Sequence, residues 1–196
     1  GRVTGMTMIG LFGGSFDPIH HGHLVVARTV LERLDLAQIR FMPARSQPLK
    51  SGHGASPEQR ARLVSLAIAG APGFALEPLE LDRPGPSYTV ETLRELHRRE
   101  PGQGFALLIG ADAAAELPRW READRLPELA RLVVFARPGA AVPTLPWPIH
   151  MVAVPAIDIS ATEIRRRVGA GLPIRYWVPD PVEEAIRVER LYSSDA

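Results

Sequence analysis

Short apolar runs alternate along this chain with longer stretches whose apolar residues recur every three or four positions. The runs at 8–12, 39–44, 104–112, 131–139 and 149–155 read as strands, and a further extended segment is expected over 76–81. Between them the spacing predicts helices. In 23–35, Leu24, Ala27, Val30, Leu31 and Leu34 share one face. In 56–70, Ser56 reads as the N-cap, Pro57 as the first helical residue and Gln59 as the partner that completes a capping box. Segment 87–100 is amphipathic, and 160–171 and 180–192 close the chain as helices. Short strands separated by helices imply parallel crossover units. The expected fold class is therefore α/β: a single doubly wound, mostly parallel sheet with helices on both faces. One domain is expected over 1–196, and the proline-rich stretch 137–148 reads as a loop, because too little chain follows it to form a second domain. Ligands of such sheets sit at the carboxyl ends of the strands, beside the reversal in strand order.

Composition adds mainly exclusions. The 196 residues are 45% hydrophobic and 23% charged, with a formal net charge of +1. That balance suits a soluble globular domain and gives no bulk attraction to nucleic acid or to an anionic membrane. No apolar run approaches the roughly 18 residues that would suggest a membrane span. Without cysteine there are no disulfides and no thiolate metal sites. The expected location is cytoplasmic, and the polar residues 1–6 read as a variable, disordered leader or a cloning remnant. Lys50 is the single lysine among many arginines, and there is no asparagine, a bias that a GC-rich genome would produce.

The chemistry concentrates in "GLFGGSFDPIHHGHL", residues 10–24. Gly13 and Gly14 directly follow the first predicted strand, where missing Cβ atoms allow a sharp turn and bring backbone N–H groups against a ligand. The helix beginning near Gly22 points its positive end into the same crevice, which makes an anion site. His20 and His23, three residues apart at that helix start, face the same way, and His21 points elsewhere. Three readings stand: capping or surface histidines, metal ligands lacking an evident third partner, or hydrogen-bond donors to phosphate whose charged form the phosphate would favour. Near the other end, "ISATEIRRR" (159–167) offers Ser160 as an N-cap with Glu163 completing a capping box, Thr162 in the first turn, and Arg165 one turn along, able to grip two phosphate oxygens. Arg166 and Arg167 read as solvated charges.

These two stretches resemble the paired signatures of the nucleotidylyltransferase superfamily. His20-His21-Gly22-His23 matches its H-x-G-H element, and 159–167 matches its second motif in the right order. Four further stretches narrow the resemblance, over nearly the whole chain, to the bacterial nicotinate mononucleotide adenylyltransferases: "PLK" ending in Lys50, "PSYT" (86–89), "IGAD" (109–112) and "LPRW" (117–120), with "ARPG" (136–139) closing the set. Leu49 departs from the pattern, which often has histidine before the lysine. The resemblance implies a Rossmann-like fold, ATP and nicotinate mononucleotide as substrates, Mg²⁺ with the ATP, and a place in NAD biosynthesis. It implies in-line attack of the mononucleotide phosphate on the α-phosphorus of ATP, with pyrophosphate leaving and no covalent intermediate.

Residue by residue, the resemblance makes His20, His23 and Arg165 catalytic. Gly13, Gly14, the Phe16 backbone, Ser160 and Thr162 join them in binding ATP. Lys50 meets the mononucleotide phosphate, Asp112 a ribose hydroxyl, and Trp120 stacks on the pyridine ring. Backbone near Thr89 and Arg121 receives the nicotinate carboxylate, and Tyr88 and Arg137 complete the acceptor set. Structural roles stay open for several of these: packing for Trp120, a helix cap for Asp112, a helix start for Tyr88 and Thr89, and plain solvation for Lys50. No carboxylate cluster offers direct metal ligands. Phosphopantetheine adenylyltransferase shares both signatures but lacks "PSYT" and Trp120. An amide-preferring enzyme and a non-catalytic nucleotide sensor are rival readings of the same motifs. No nucleic-acid or membrane partner is expected, and the oligomeric state is left open. Loops 47–55 and 140–148 are candidates for closing over substrate.

Overall fold

The computed structural model describes residues 7–45 and 54–194. Within them six strands form one sheet: β1 (Ile9–Gly14), β2 (Gln38–Pro43), β3 (Phe74–Leu76), β4 (Phe105–Gly110), β5 (Arg131–Ala136) and β6 (His150–Ala153). The spatial order is β3-β2-β1-β4-β5-β6, and every neighbouring pair is parallel. Strand order thus reverses between β1 and β4, as expected of a doubly wound sheet. The helices are α1 (His21–Arg33), α2 (Pro57–Ile68), α3 (Thr89–Arg99), the single turns α4 (Ala111–Ala114) and α5 (Leu126–Leu129), α6 (Ala161–Gly169) and α7 (Asp180–Val188). Among the described residues no helix is long and apolar enough to cross a membrane.

Alternation along the strands builds two cores. Phe105, Leu107 and Ile109 of β4 face one cluster with α3 and α5, while Ala106 and Leu108 face the other with α1, α2, α6 and α7. Ser56 caps α2 as the spacing predicts, its hydroxyl accepting from the Gln59 amide at 3.1 Å while the Gln59 side chain accepts from the Ser56 amide at 2.8 Å. The extended segment expected at 76–81 lies earlier, at Phe74–Leu76. Glu77 adds one more ladder bond to Phe41 O at 2.8 Å, and then Pro78, which has no N–H to donate, opens a turn closed by Leu81 N to Pro78 O at 2.9 Å. Leu79 is buried from within that turn. The crossover from β5 to β6 contains no helix. Its loop covers the second core with Leu145, Trp147 and Ile149, which keeps 137–148 a loop as anticipated.

Gly10 marks a tight contact of β1 with its two neighbouring strands and the turn that follows α1. A Cβ there would lie 2.9 Å from Leu36 Cδ1, 3.1 Å from Ile39 Cγ1 and 3.2 Å from Leu108 Cδ1. Three side chains, from the turn after α1, from β2 and from β4, would have to move together. Gly10→Ala is therefore expected to destabilise the domain by about 1–3 kcal/mol, the usual cost of overpacking, read as a lower urea midpoint with unchanged slope.

Candidate active site

The crevice opens where β1, β4 and β5 end, at the reversal of strand order. A cavity of about 420 Å³ is lined there by Gly13 and Gly14 of β1, Gly110 of β4, and Phe135 and Ala136 of β5. The two glycines stay in the strand rather than turning the chain. The turn comes at Phe16, whose backbone is left-handed (φ 48°) and whose ring is buried against Phe12, Phe41 and His23. Why, then, glycine at 13 and 14? A Cβ at either would meet protein only at ordinary contact, 3.4 Å or more. The space they leave free is space in the cavity.

His20 is the N-cap of α1 and His23 its third residue, and the two rings stack at 3.7 Å with 25° between planes. This stacking depends on Gly22, because a Cβ there would stand 2.8 Å from the His20 ring. The His20 amide donates to His23 Nδ1 at 3.1 Å. An amide proton needs an unprotonated acceptor, so neutral His23 carries its own proton on Nε2. His20 Nδ1 is buried without a partner. Burial pushes the His20 pKa down to about 4, with the His21 charge adding to the effect. His23 is likewise held well below the ordinary histidine value, first by burial and then by His20. Within the polypeptide alone the pair is therefore neutral at pH 7, the reverse of the charge expected under phosphate. No acidic residue stands in the first turn of α1 to compete with an anion.

The second motif meets the first at this point: Ile159 lines the same cavity, and its carbonyl lies 3.6 Å from where a Gly22 Cβ would be. Ser160 caps α6 through the Glu163 amide at 3.1 Å. The capping box is only half formed, because the Glu163 carboxylate instead takes two hydrogen bonds from Arg166 at 2.9 and 2.7 Å. Arg165 donates to the Asp17 carbonyl at 2.8 Å and to Thr162 Oγ1 at 3.3 Å. Arg167 departs from the solvated role expected for it, lying over the Trp177 ring at 4.3 Å and donating to Pro173 O at 2.8 Å.

Gly13, Gly14, Phe16, His20, His23, Asp112 and Arg137 line the one cavity. Thr162 and Arg165 line a different groove of about 290 Å³ along α6, the helix that Ser160 caps. Tyr88, Thr89, Trp120 and Arg121 gather at the start of α3 instead. The Arg121 guanidinium lies 4.6 Å over the Tyr88 ring, and Trp120 is half-buried against the second core. Lys50 lies outside the described residues. Of the loops proposed to close, 140–148 contributes Ala140 to the cavity wall.

Sequence reasoning missed three residues around the site. Arg60, 2% exposed, donates from Nη1 to Ser15 O at 2.6 Å, from Nη2 to Arg45 O at 3.2 Å and from Nε to Ala55 O at 3.3 Å, fixing the loop after β1. Asp17 is 1% exposed and bonded to Tyr192, near the other end of the chain. Only Asp17 carried a signal, as a charged residue inside a glycine- and proline-rich turn.

Comparison with known proteins agrees with this geometry in two steps. The profile of the cytidylyltransferase-like family matches residues 11–167, a span that begins in β1 and ends in α6. A protein of Roseiflexus sp. named as a probable nicotinate-nucleotide adenylyltransferase is 47% identical over 194 residues, covering 94% of this chain and 97% of that one. One of the same name from Thermus thermophilus is 48% identical over 184 residues, covering 94% and 98%. In fold the chain is similar to the Plasmodium falciparum nicotinic acid mononucleotide adenylyltransferase complexed with NaAD, at TM-score 0.79, 18% identity and coverage of 95% and 97%. The chain belongs to the nicotinate-nucleotide adenylyltransferase family.

The neutral histidine pair has a consequence for stability. Native His20 resists protonation down to about pH 4, whereas the unfolded chain takes up a proton near 6.5. Between those values the unfolded state binds more protons, so stability is complete above pH 6.5 and is lost as pH falls toward 4. Urea melts at pH 7 and 4.5 are expected to show a loss that His20→Asn reduces by up to about 3 kcal/mol. An unchanged loss in that variant would mean that His20 is not the buried neutral group.

Proposed function

We propose that this protein transfers the adenylyl group of ATP to nicotinate mononucleotide, giving nicotinate adenine dinucleotide and pyrophosphate. One observation carries the reading: two stacked, neutral imidazoles stand at the positive end of α1, on the wall of a cavity bounded by Gly13 and Gly14. Neutral N–H donors in a partly dry crevice bind phosphate oxygens, and arriving negative charge raises the histidine pKa and strengthens each bond as charge builds.

In this reading a phosphate oxygen of the mononucleotide attacks the α-phosphorus of ATP, forming one P–O bond as the bond to the β-phosphate oxygen breaks. The nucleophile is already an anion, so no general base is required, and catalysis is positioning plus charge stabilisation. His23, its proton fixed on Nε2 by the His20 amide, would donate to the α-phosphoryl group, and His20 would share the triphosphate. Ser160, Thr162 and Arg165 would hold the departing β- and γ-phosphates. Asp112 and Arg137 would face the acceptor side of the cavity, with Tyr88, Thr89, Trp120, Arg121 and Lys50 supplying the remaining acceptor contacts. Among the described residues no three histidine or carboxylate side chains come together to hold a metal. Mg²⁺ would enter as the companion of ATP, with phosphate oxygens as its ligands and charge neutralisation as the chemistry it would supply.

Pyrophosphate release from ATP and Mg²⁺, compared with nicotinate mononucleotide, nicotinamide mononucleotide and phosphopantetheine as acceptors, tests the assignment. Strong preference for the first is expected; activity with phosphopantetheine alone would overturn it. His23→Ala should lower kcat by roughly 10²–10³, as loss of one transition-state donor does, and near-normal turnover in a folded variant would remove His23 from the mechanism. Trp120→Ala should raise the KM for the mononucleotide well above any change for ATP. Equal effects on both would make Trp120 a packing residue only.

A further inference from the structure

Beneath the loop after β1 lies a buried network that the mechanism does not use. Asp17 Oδ1 accepts from the Ala55 amide at 3.0 Å and from the Tyr192 hydroxyl, and its Oδ2 is buried without a partner among the described residues. Burial and the adjacent carboxylate raise the Tyr192 pKa far above the ordinary tyrosine value, so its O–H remains a donor. Two guanidinium groups act on this pair from close range, Arg60 on Asp17 and Tyr192, and Arg165 on Tyr192. Neither donates to the carboxylate. Both direct donors to backbone carbonyls, Arg165 to that of Asp17 itself.

A buried carboxylate with one oxygen unpartnered is costly, and an apolar residue of similar size would fill the space with a smaller penalty to folding. What the carboxylate does is fix the Asp17 backbone from two sides, through Tyr192 and through Ala55 in the loop that leads into α2. That backbone oxygen in turn holds one arm of the Arg165 guanidinium, while Thr162 holds the other. Arg165, Thr162 and Tyr192 line the same groove, so the arginine is both held and open to a phosphate.

We propose that Asp17 and Tyr192 are positioning residues for Arg165, a strut from the end of the chain that orients the guanidinium before ATP arrives. A free arginine side chain surrenders rotamer freedom when it grips a ligand. The strut removes part of that loss from binding. The proposal rests on the reading of Arg165 as a triphosphate contact.

The test is calorimetric ATP affinity together with steady-state kinetics for Tyr192→Phe, which keeps the ring and removes only the hydroxyl. ATP Kd and KM are expected to rise about five- to tenfold, with the mononucleotide KM unchanged. In an Arg165→Ala background the same substitution should have no further effect on ATP, because the group it positions is gone. Asp17→Asn, which keeps an oxygen acceptor, should retain more ATP affinity than Asp17→Ala. An undiminished loss in the Arg165→Ala background, or no loss in either, would overturn the strut. Normal ATP affinity in Arg165→Ala itself would instead overturn the reading of Arg165, and absent turnover with any acceptor would strike the proposed reaction while affinity still decided this point.

Discussion

The His20 ring occupies the space that any side chain at position 22 would need, and the site is arranged around that one steric fact. With Gly22 beneath it, His20 stacks on His23, and its own amide caps the His23 ring nitrogen. The pair therefore arrives at α1 with its spacing fixed and one tautomer chosen. It also arrives desolvated, which keeps both rings neutral. The order of events matters for binding. A site built from permanently charged groups would hold solvent anions tightly, whereas a neutral pair beside a helix dipole gains strength as negative charge enters.

Around this pair the chain uses arginine in an uncommon way. Arg60 and Arg165 both direct guanidinium donors to backbone carbonyls of the loop between β1 and α1, at Ser15 and Asp17. Phe16 between them is held in the left-handed region with its ring buried. A glycine-bearing loop near a phosphate site would otherwise be the least constrained part of the molecule. Here it is clamped from α2 by one arginine and from α6 by another. The clamp from α6 also ties the two sequence motifs together physically, since Ile159 and Gly22 share the cavity wall.

How much of this was legible from sequence varied with the range of the interaction. Strand and helix periodicity is a local property, so the sheet class, the helices and the Ser56 capping box could be read directly. Errors came where a local rule had a competitor. Glu163 has the spacing of a capping partner but also stands three residues before Arg166, and the two-bond ion pair takes the carboxylate. The run at 76–81 is apolar enough for a strand, yet Pro78 lacks the donor that the ladder needs. At 13 and 14, glycine suggested a turn, whereas the turn is made by Phe16, a residue whose type gives no such hint. Least legible were contacts between distant residues. Nothing in "FDP" or in "ERLY" announces that Asp17 and Tyr192 meet across 175 positions. Gly10 is silent for the same reason, since the side chains that demand glycine there come from Leu36, Ile39 and Leu108.

The reversal of strand order then accounts for how the proposed reaction could be laid out in space. On one face of the sheet, α1 and α6 belong to the first core, and they carry the histidines, Thr162 and Arg165. On the other, the starts of α3 and α4 and the loop with Trp120 belong to the second core, and they carry the residues proposed for the acceptor. In-line displacement requires the attacking and leaving oxygens to lie on opposite sides of the phosphorus. At the reversal of strand order the two faces of the sheet open on one crevice, so groups that would bind a leaving pyrophosphate and groups that would bind a nucleophile can approach one phosphorus from two directions without crossing. The separation of Tyr88, Trp120 and Arg121 from the histidine cavity fits that division. Under the proposed reaction they would form a second station, on the face from which the acceptor would come.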